Sequence, residues 1–143
     1  MSNTFLTAKD YLSQAYRIDQ RINSKIEQVR SLRELAEKAT TTLSDVPQGK
    51  GSRNVHRMED VIAKMVDLES DINADLCRLI DTKREIVTVI KCVELPELQT
   101  LLEMRYLCFK TWEQIAVELH FDLRWVHRLH NKALNEVEAI RHC

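Results

Sequence analysis

Arg124, Arg128 and Lys132 stand four residues apart, with His127 among them, and from Leu123 to Lys132 there is no acid. A spacing of four puts these cations on one face of a helix. The planar fork of an Arg matches the two acceptors that guanine presents in the major groove, while Lys132 and His127 suit phosphates, which position a helix without specifying sequence. These types in this pattern point to the reading of duplex DNA. Leu123, Trp125 and Asn131 share the outward positions, so the candidate DNA-binding set is Leu123, Arg124, Trp125, His127, Arg128, Asn131 and Lys132. The competing interpretation is a solvated face on a helical hairpin. His127 and His130 form an HxxH pair, but no second Cys or carboxylate lies at ligand spacing, so neither a metal nor any other cofactor is expected. The chain has no Gly-rich phosphate loop, GxSxG or HExxH, and an enzyme is not expected either.

The elements that must position this face are legible on both sides of it. Thr111-Trp112-Glu113-Gln114 fits a capping box and starts a helix with Ile115, Ala116 and Leu119 facing inward. The turn is 119–122, where Phe121 should plug the core and Asp122 should cap the next helix. That helix is pinned by Val126, Leu129, Ala133, Leu134, Val137 and Ile140, and His130 is expected to pack against the helix before the pair. The preceding helix runs from about Pro96 to Cys108 and places Leu98, Leu101, Leu102, Arg105, Tyr106 and Phe109 around a short cylinder, with Glu103 and Arg105 read as surface charges.

The first part of the chain is an arm. Thr7 caps a helix that nothing breaks from Ala8 to about Thr40, with Ala15, Ile22, Val29 and Ala36 at heptad spacing and Leu12, Ile18, Ile26, Leu32 and Ala39 widening the stripe. Pro47, Gly49 and Gly51 then imply a flexible loop over about 43–56, whose Lys50 and Arg53 are taken as linker charges. A second long helix follows to Val93. In it Met58, Met65, Ile72, Leu79, Ile86 and Val93 recur every seven residues, and Ile62, Leu76 and Ile90 occupy the position four on, interrupted by Glu69 and Lys83. That is a coiled-coil seam, and the two helices are expected to pair antiparallel. The resulting organisation is an arm over 1–95 and a helix-turn-helix domain over 96–143, in an all-α fold.

Composition agrees. With two Gly and two Pro in 143 residues, 44% hydrophobic and 30% charged, the chain is short of helix breakers. A formal net charge of −1 excludes non-specific polyanion binding by the whole protein, so DNA contact must come from a local face. Cys77, Cys92, Cys108 and Cys143 form no CxxC pair and read as reduced thiols, the first three packed in helix cores. No apolar run is long enough to span a membrane and no leader-like segment is seen, which points to the cytoplasm of a bacterial host once the resemblance below is added.

Leu-Leu-Glu-Met-Arg-Tyr (101–106), Thr-Trp-Glu-Gln-Ile-Ala (111–116) and the run 122–134 resemble region 4 of bacterial sigma factors, which reads the −35 promoter element. With the long arm in front, the chain looks like the phage-encoded sigma-region-4-like regulators of Gram-positive bacteria, of the RinA and ArpU kind, and their relatives in a domain family of unknown function. The resemblance implies transcriptional control of phage late genes through promoter DNA and contact with host RNA polymerase; the coiled-coil arm, read from its own heptads, is expected to hold a homo-oligomer. The resemblance puts base contacts at Leu123, Arg124 and Arg128, and phosphate contacts at His127 and Lys132. Three positions depart from the pattern: Leu123 replaces a polar reader, Trp125 is large for an exposed site, and His120 replaces the turn Gly. The alternative function is a protein-interaction module that docks on RNA polymerase or another regulator, with Trp125 and Leu123 as an apolar anchor.

Overall fold

The computed structural model describes residues 6–43 and 48–142, and all their regular structure is helical, as expected. The elements are α1 (Ala8–Leu12), α2 (Gln14–Leu43), α3 (Gln48–Lys91), α4 (Pro96–Leu102), a π-helical segment (Glu103–Leu107), α5 (Trp112–Leu119) and α6 (Leu123–Arg141). Residues 1–5, residues 44–47 of the expected loop, the side chains of Lys50 and Arg53, and Cys143 lie outside the described residues. Among the described residues no helix is long and apolar enough to cross a membrane.

Two compact units form. The head combines the described residues up to Ile18 with those from Arg78 on, and the arm is Asp19–Cys77. The boundary expected at Pro96 falls inside the head, because Ala8, Leu12 and Ala15 from the first helices and Ile86, Ile90 and Val93 from α3 are buried in one core with Leu98, Leu101, Leu102, Ile115, Val126 and Val137. Periodicity marks which residues want burial, but not which distant segment buries them.

In the arm, Ile22 and Val29 of α2 are buried, and Met58, Met65 and Ile72 of α3 are half-buried, as their heptad spacing requires. The second row differs from expectation. Ile62 and Leu76 are 51% and 40% exposed, and the seam runs instead through Val61, Leu68 and Asp75, three residues on rather than four. Glu69 therefore stands outside the seam. Asp75 is the reason the row is hard to read: its carboxylate accepts from Lys25 Nζ at 2.7 Å, with only 7% of the Asp75 side chain and 21% of the Lys25 side chain exposed. Lys25 occupies the matching row of α2 with Leu32 and Ala39. Thr40 meets Met58 while Lys25 meets Asp75, so the helices run antiparallel. A charged pair at one seam position penalises every other register.

Two boundaries also shift. The loop expected over 43–56 ends earlier, since α3 begins at Gln48 and continues through Gly49 and Gly51. Each Gly costs about 1 kcal/mol in a helix interior, yet extending an existing helix is far easier than nucleating one. The unbroken first helix is interrupted at Ser13, whose hydroxyl donates to Lys9 O at 2.7 Å, a side-chain bond that bends helices. Cys77, Cys92 and Cys108 are exposed rather than packed in cores; a small apolar side chain off the buried rows is simply solvated.

The head is built around α6, against which α1, α4 and α5 pack. Thr7 caps α1 by accepting from Asp10 N at 3.1 Å. The clasp of α1 on the carboxy-terminal half of α6 has its own bonds: Ala8 N donates to Glu138 Oε2 at 2.6 Å, and Arg141 donates to Leu6 O at 2.8 Å with its guanidinium 4.5 Å from the Tyr11 ring. The Ala8 amide, first among several causes, holds the Glu138 carboxyl below the usual range. After α4 the helix widens by one residue per turn. Cys108 N donates to Glu103 O at 3.0 Å and Lys110 N to Met104 O at 3.0 Å, and the chain leaves through Phe109 at φ 58°. The Phe109 ring packs edge-on to Tyr16 at 5.5 Å, with Lys83 Nζ 4.8 Å from its centroid.

Candidate nucleic-acid interface

Local chemistry sets both helices of the pair. Thr111 Oγ1 accepts from Gln114 N at 3.2 Å while Gln114 Oε1 accepts from Thr111 N at 2.9 Å, the reciprocal capping box expected at the start of α5. α5 ends at His120 in the left-handed region, φ 59° and ψ 38°. A non-Gly residue there costs about 1–2 kcal/mol. The bonds from Phe121 N to Ala116 O at 3.0 Å and from His120 N to Val117 O at 3.3 Å satisfy the last carbonyls and offset that cost. The turn thus keeps its geometry without the Gly. Asp122 Oδ1 accepts from Trp125 N at 2.7 Å and fixes the first turn of α6.

On α6 the inward positions are Val126, Leu129, His130, Ala133 and Val137, all buried. Leu134 and Ile140 are half-buried against the same core, and Phe121 joins them from the turn. Every residue of the candidate set is exposed: Leu123, Arg124, Trp125, His127, Arg128, Asn131 and Lys132. At about 100° per residue, Arg124, Arg128 and Asn131 lie along the outward meridian; Lys132 and Trp125 flank it on one side, and His127 and Leu123 on the other. Among the described residues no ion pair or hydrogen bond engages the side chains of Arg124, Arg128 or Lys132. Leu123 and Trp125, two residues apart, point about 200° apart and do not form one patch.

The underside of the interface is an aromatic cluster that the sequence reading missed except for His130. His130 Nε2 and the Tyr106 hydroxyl are hydrogen-bonded at 2.6 Å. Burial, more than the nearby Lys9, Arg105 and His127, pushes the His130 pKa down to about 4, and burial raises the Tyr106 hydroxyl to about 12, so this is a bond between neutral groups. Trp112 lies 4.4 Å from the His130 ring and 5.1 Å from the His127 ring. Arg105, expected on the surface, is half-buried: it stacks 4.4 Å from Trp112 and donates to Lys110 O at 2.9 Å. Its role is to brace the start of α5. The available signal was the Arg105-Tyr106 pair on one side of the capping box and His130 on the other, but only the fold brings them together.

A second surface lies away from this face. Pro96, Glu97, Thr100, Leu119 and Phe121 line a shallow groove, and Val117 on α5 is 73% exposed.

A capped helix, a left-handed turn and a second helix that buries one face and turns an uncommitted basic face outward define a helix-turn-helix architecture in an all-α protein. The family model described as "Protein of unknown function (DUF722)" matches residues 8–139, and the chain belongs to that family. No curated protein and no solved structure matches the chain.

Proposed function

We propose that this is a transcription regulator without enzymatic activity that binds duplex promoter DNA through α6. The observation that carries the reading is the division of α6: Val126, Leu129, His130, Ala133 and Val137 are committed to the core, while Arg124, Arg128 and Lys132 face outward with no internal partner among the described residues. Arg side chains held this way are suited to guanine edges, and the flanking Lys132 and His127 to phosphates. The resemblance to sigma-region-4-like phage regulators adds the context proposed here: late genes of a bacteriophage, the host cytoplasm, and help from RNA polymerase or from a second copy of the chain. A single reading helix with few phosphate contacts usually needs such help. Self-association through the arm is supported by Val55, Ile62, Val66 and Leu76, an exposed apolar row on α3 apart from the seam with α2.

Genome-wide DNA capture in the infected host followed by gel shifts on recovered fragments tests this. Arg124→Ala combined with Arg128→Ala should abolish specific binding while leaving the helical circular dichroism intact. An unchanged shift would sink the DNA reading. The second reading, docking on a protein, is favoured by the groove that Pro96, Leu119 and Phe121 line and by the exposure of Val117. The two separate on salt, since DNA binding weakens steeply as salt rises and apolar docking does not.

A further inference from the structure

The first turn of α6 presents a cation between two apolar side chains. Arg124 lies about 100° from Leu123 on one side and from Trp125 on the other, and the three are held in place by the Asp122 cap on Trp125 N. Leu123 is 40% exposed and Trp125 43%, and among the described residues no ring or cation contact engages the Trp125 indole. The core does not use these side chains: Val126, the next residue, already fills the inward position with no exposed surface. The surrounding charge is positive, with Arg124, Arg128 and Lys132 and no acid from Leu123 to Lys132, so a surface that receives this tip is polyanionic. The residues at the amino-terminal end of a reading helix are those that reach base edges. In the major groove those edges offer donors, acceptors and one apolar group, the C5 methyl of thymine.

From these facts we infer that the tip of α6 reads a guanine flanked by thymine methyl groups, with the Arg124 fork on the guanine and Leu123 and Trp125 against the methyls of neighbouring pairs. The inference rests on the DNA reading above and sharpens it to a base pattern. Leu123 and Trp125 are then specificity determinants, not one anchor for a protein partner. Against a run of pairs lacking these methyls, the same two side chains would cover polar base edges and leave them without water.

The test starts from a randomised duplex pool, enriched on the full-length protein, with the best duplex then resynthesised with deoxyuridine in place of thymidine. Uracil pairs as thymine does and lacks only the methyl. Binding should weaken about threefold to fourfold for each contacted methyl lost, the scale of one buried methyl group. In Leu123→Ala with Trp125→Ala the penalty for uracil should disappear. Equal affinity for the thymine and uracil duplexes would overturn the inference and leave the DNA reading standing. So would a uracil penalty undiminished in the double variant, since it would report duplex deformability instead of contact. If no sequence is enriched, the DNA reading itself fails and this inference with it.

Discussion

The arm and the head bury their apolar residues in opposite ways. In the head, Leu12, Ile86, Ile90, Leu98, Leu101, Leu102, Ile115, Val126 and Val137 are sealed from solvent. In the arm only Ile22 and Val29 are buried apolar residues among those described, and Ile26, Leu35, Val55, Ile62, Val66 and Leu76 are 40–58% exposed. Two helices side by side can cover one stripe each, whereas three helices packed on a fourth enclose a volume. The arm therefore draws its definition from a polar device, the Lys25–Asp75 pair, and the head draws its own from packing. The head can hold α6 still; the arm leaves an apolar row on α3 exposed.

That contrast can be broken in three ways. Lys25→Met takes the ammonium from a carboxylate whose side chain is only 7% exposed and should destabilise the arm by about 3–5 kcal/mol. Lys25→Met with Asp75→Leu should restore the lost stability, as buried pairs replaced by apolar residues usually do. Thermal unfolding of the single and double variants checks this, and equal melting for the single variant and wild type would show that packing defines the arm after all. Leu12→Ala should cost the head about 2–5 kcal/mol, because a sealed leucine far from the helix-turn-helix in sequence is part of its core. A melt that does not move would return α1 to the arm.

The smallest effect is on pH. His130 is neutral in the fold with a pKa of about 4, below its ordinary 6.5, so the unfolded chain takes up a proton first as the solution is acidified. This contribution is fully present above about pH 6.5 and is lost as pH falls through about 4, to a total of up to about 3 kcal/mol. Glu138, held below its ordinary value, adds a loss at lower pH. In His130→Gln the fall between about pH 6.5 and 5 should vanish. If that part of the profile persists, another group carries it.

What the sequence made legible were local signals. Thr7, Thr111, Asp122 and Pro96 do what their positions imply, because a cap is decided within four residues. The inward row of α6 and the exposure of Arg124, Arg128 and Lys132 follow from the helical period alone. The misread features depend on distance. Ile62 and Leu76 look like a seam row by type, yet Asp75 holds the seam because Lys25 comes from the other helix. The π-helical turn before Phe109 has no periodic signature, and Arg105 looks like a surface charge until Trp112 is folded over it.

The clasp of α1 on α6 has a consequence for synthesis. Ala8 and Glu138, which share a hydrogen bond, are 130 residues apart in the chain, while the arm pairs Thr40 with Met58 only 18 apart. Short-range pairing closes first, because closing a long loop costs more entropy and must wait for both ends to exist. The hairpin can form while the ribosome is still translating, but the head has to wait until α6 has been made as far as Glu138. A message cut short before Glu138 thus yields a paired arm and a head that lacks its clasp.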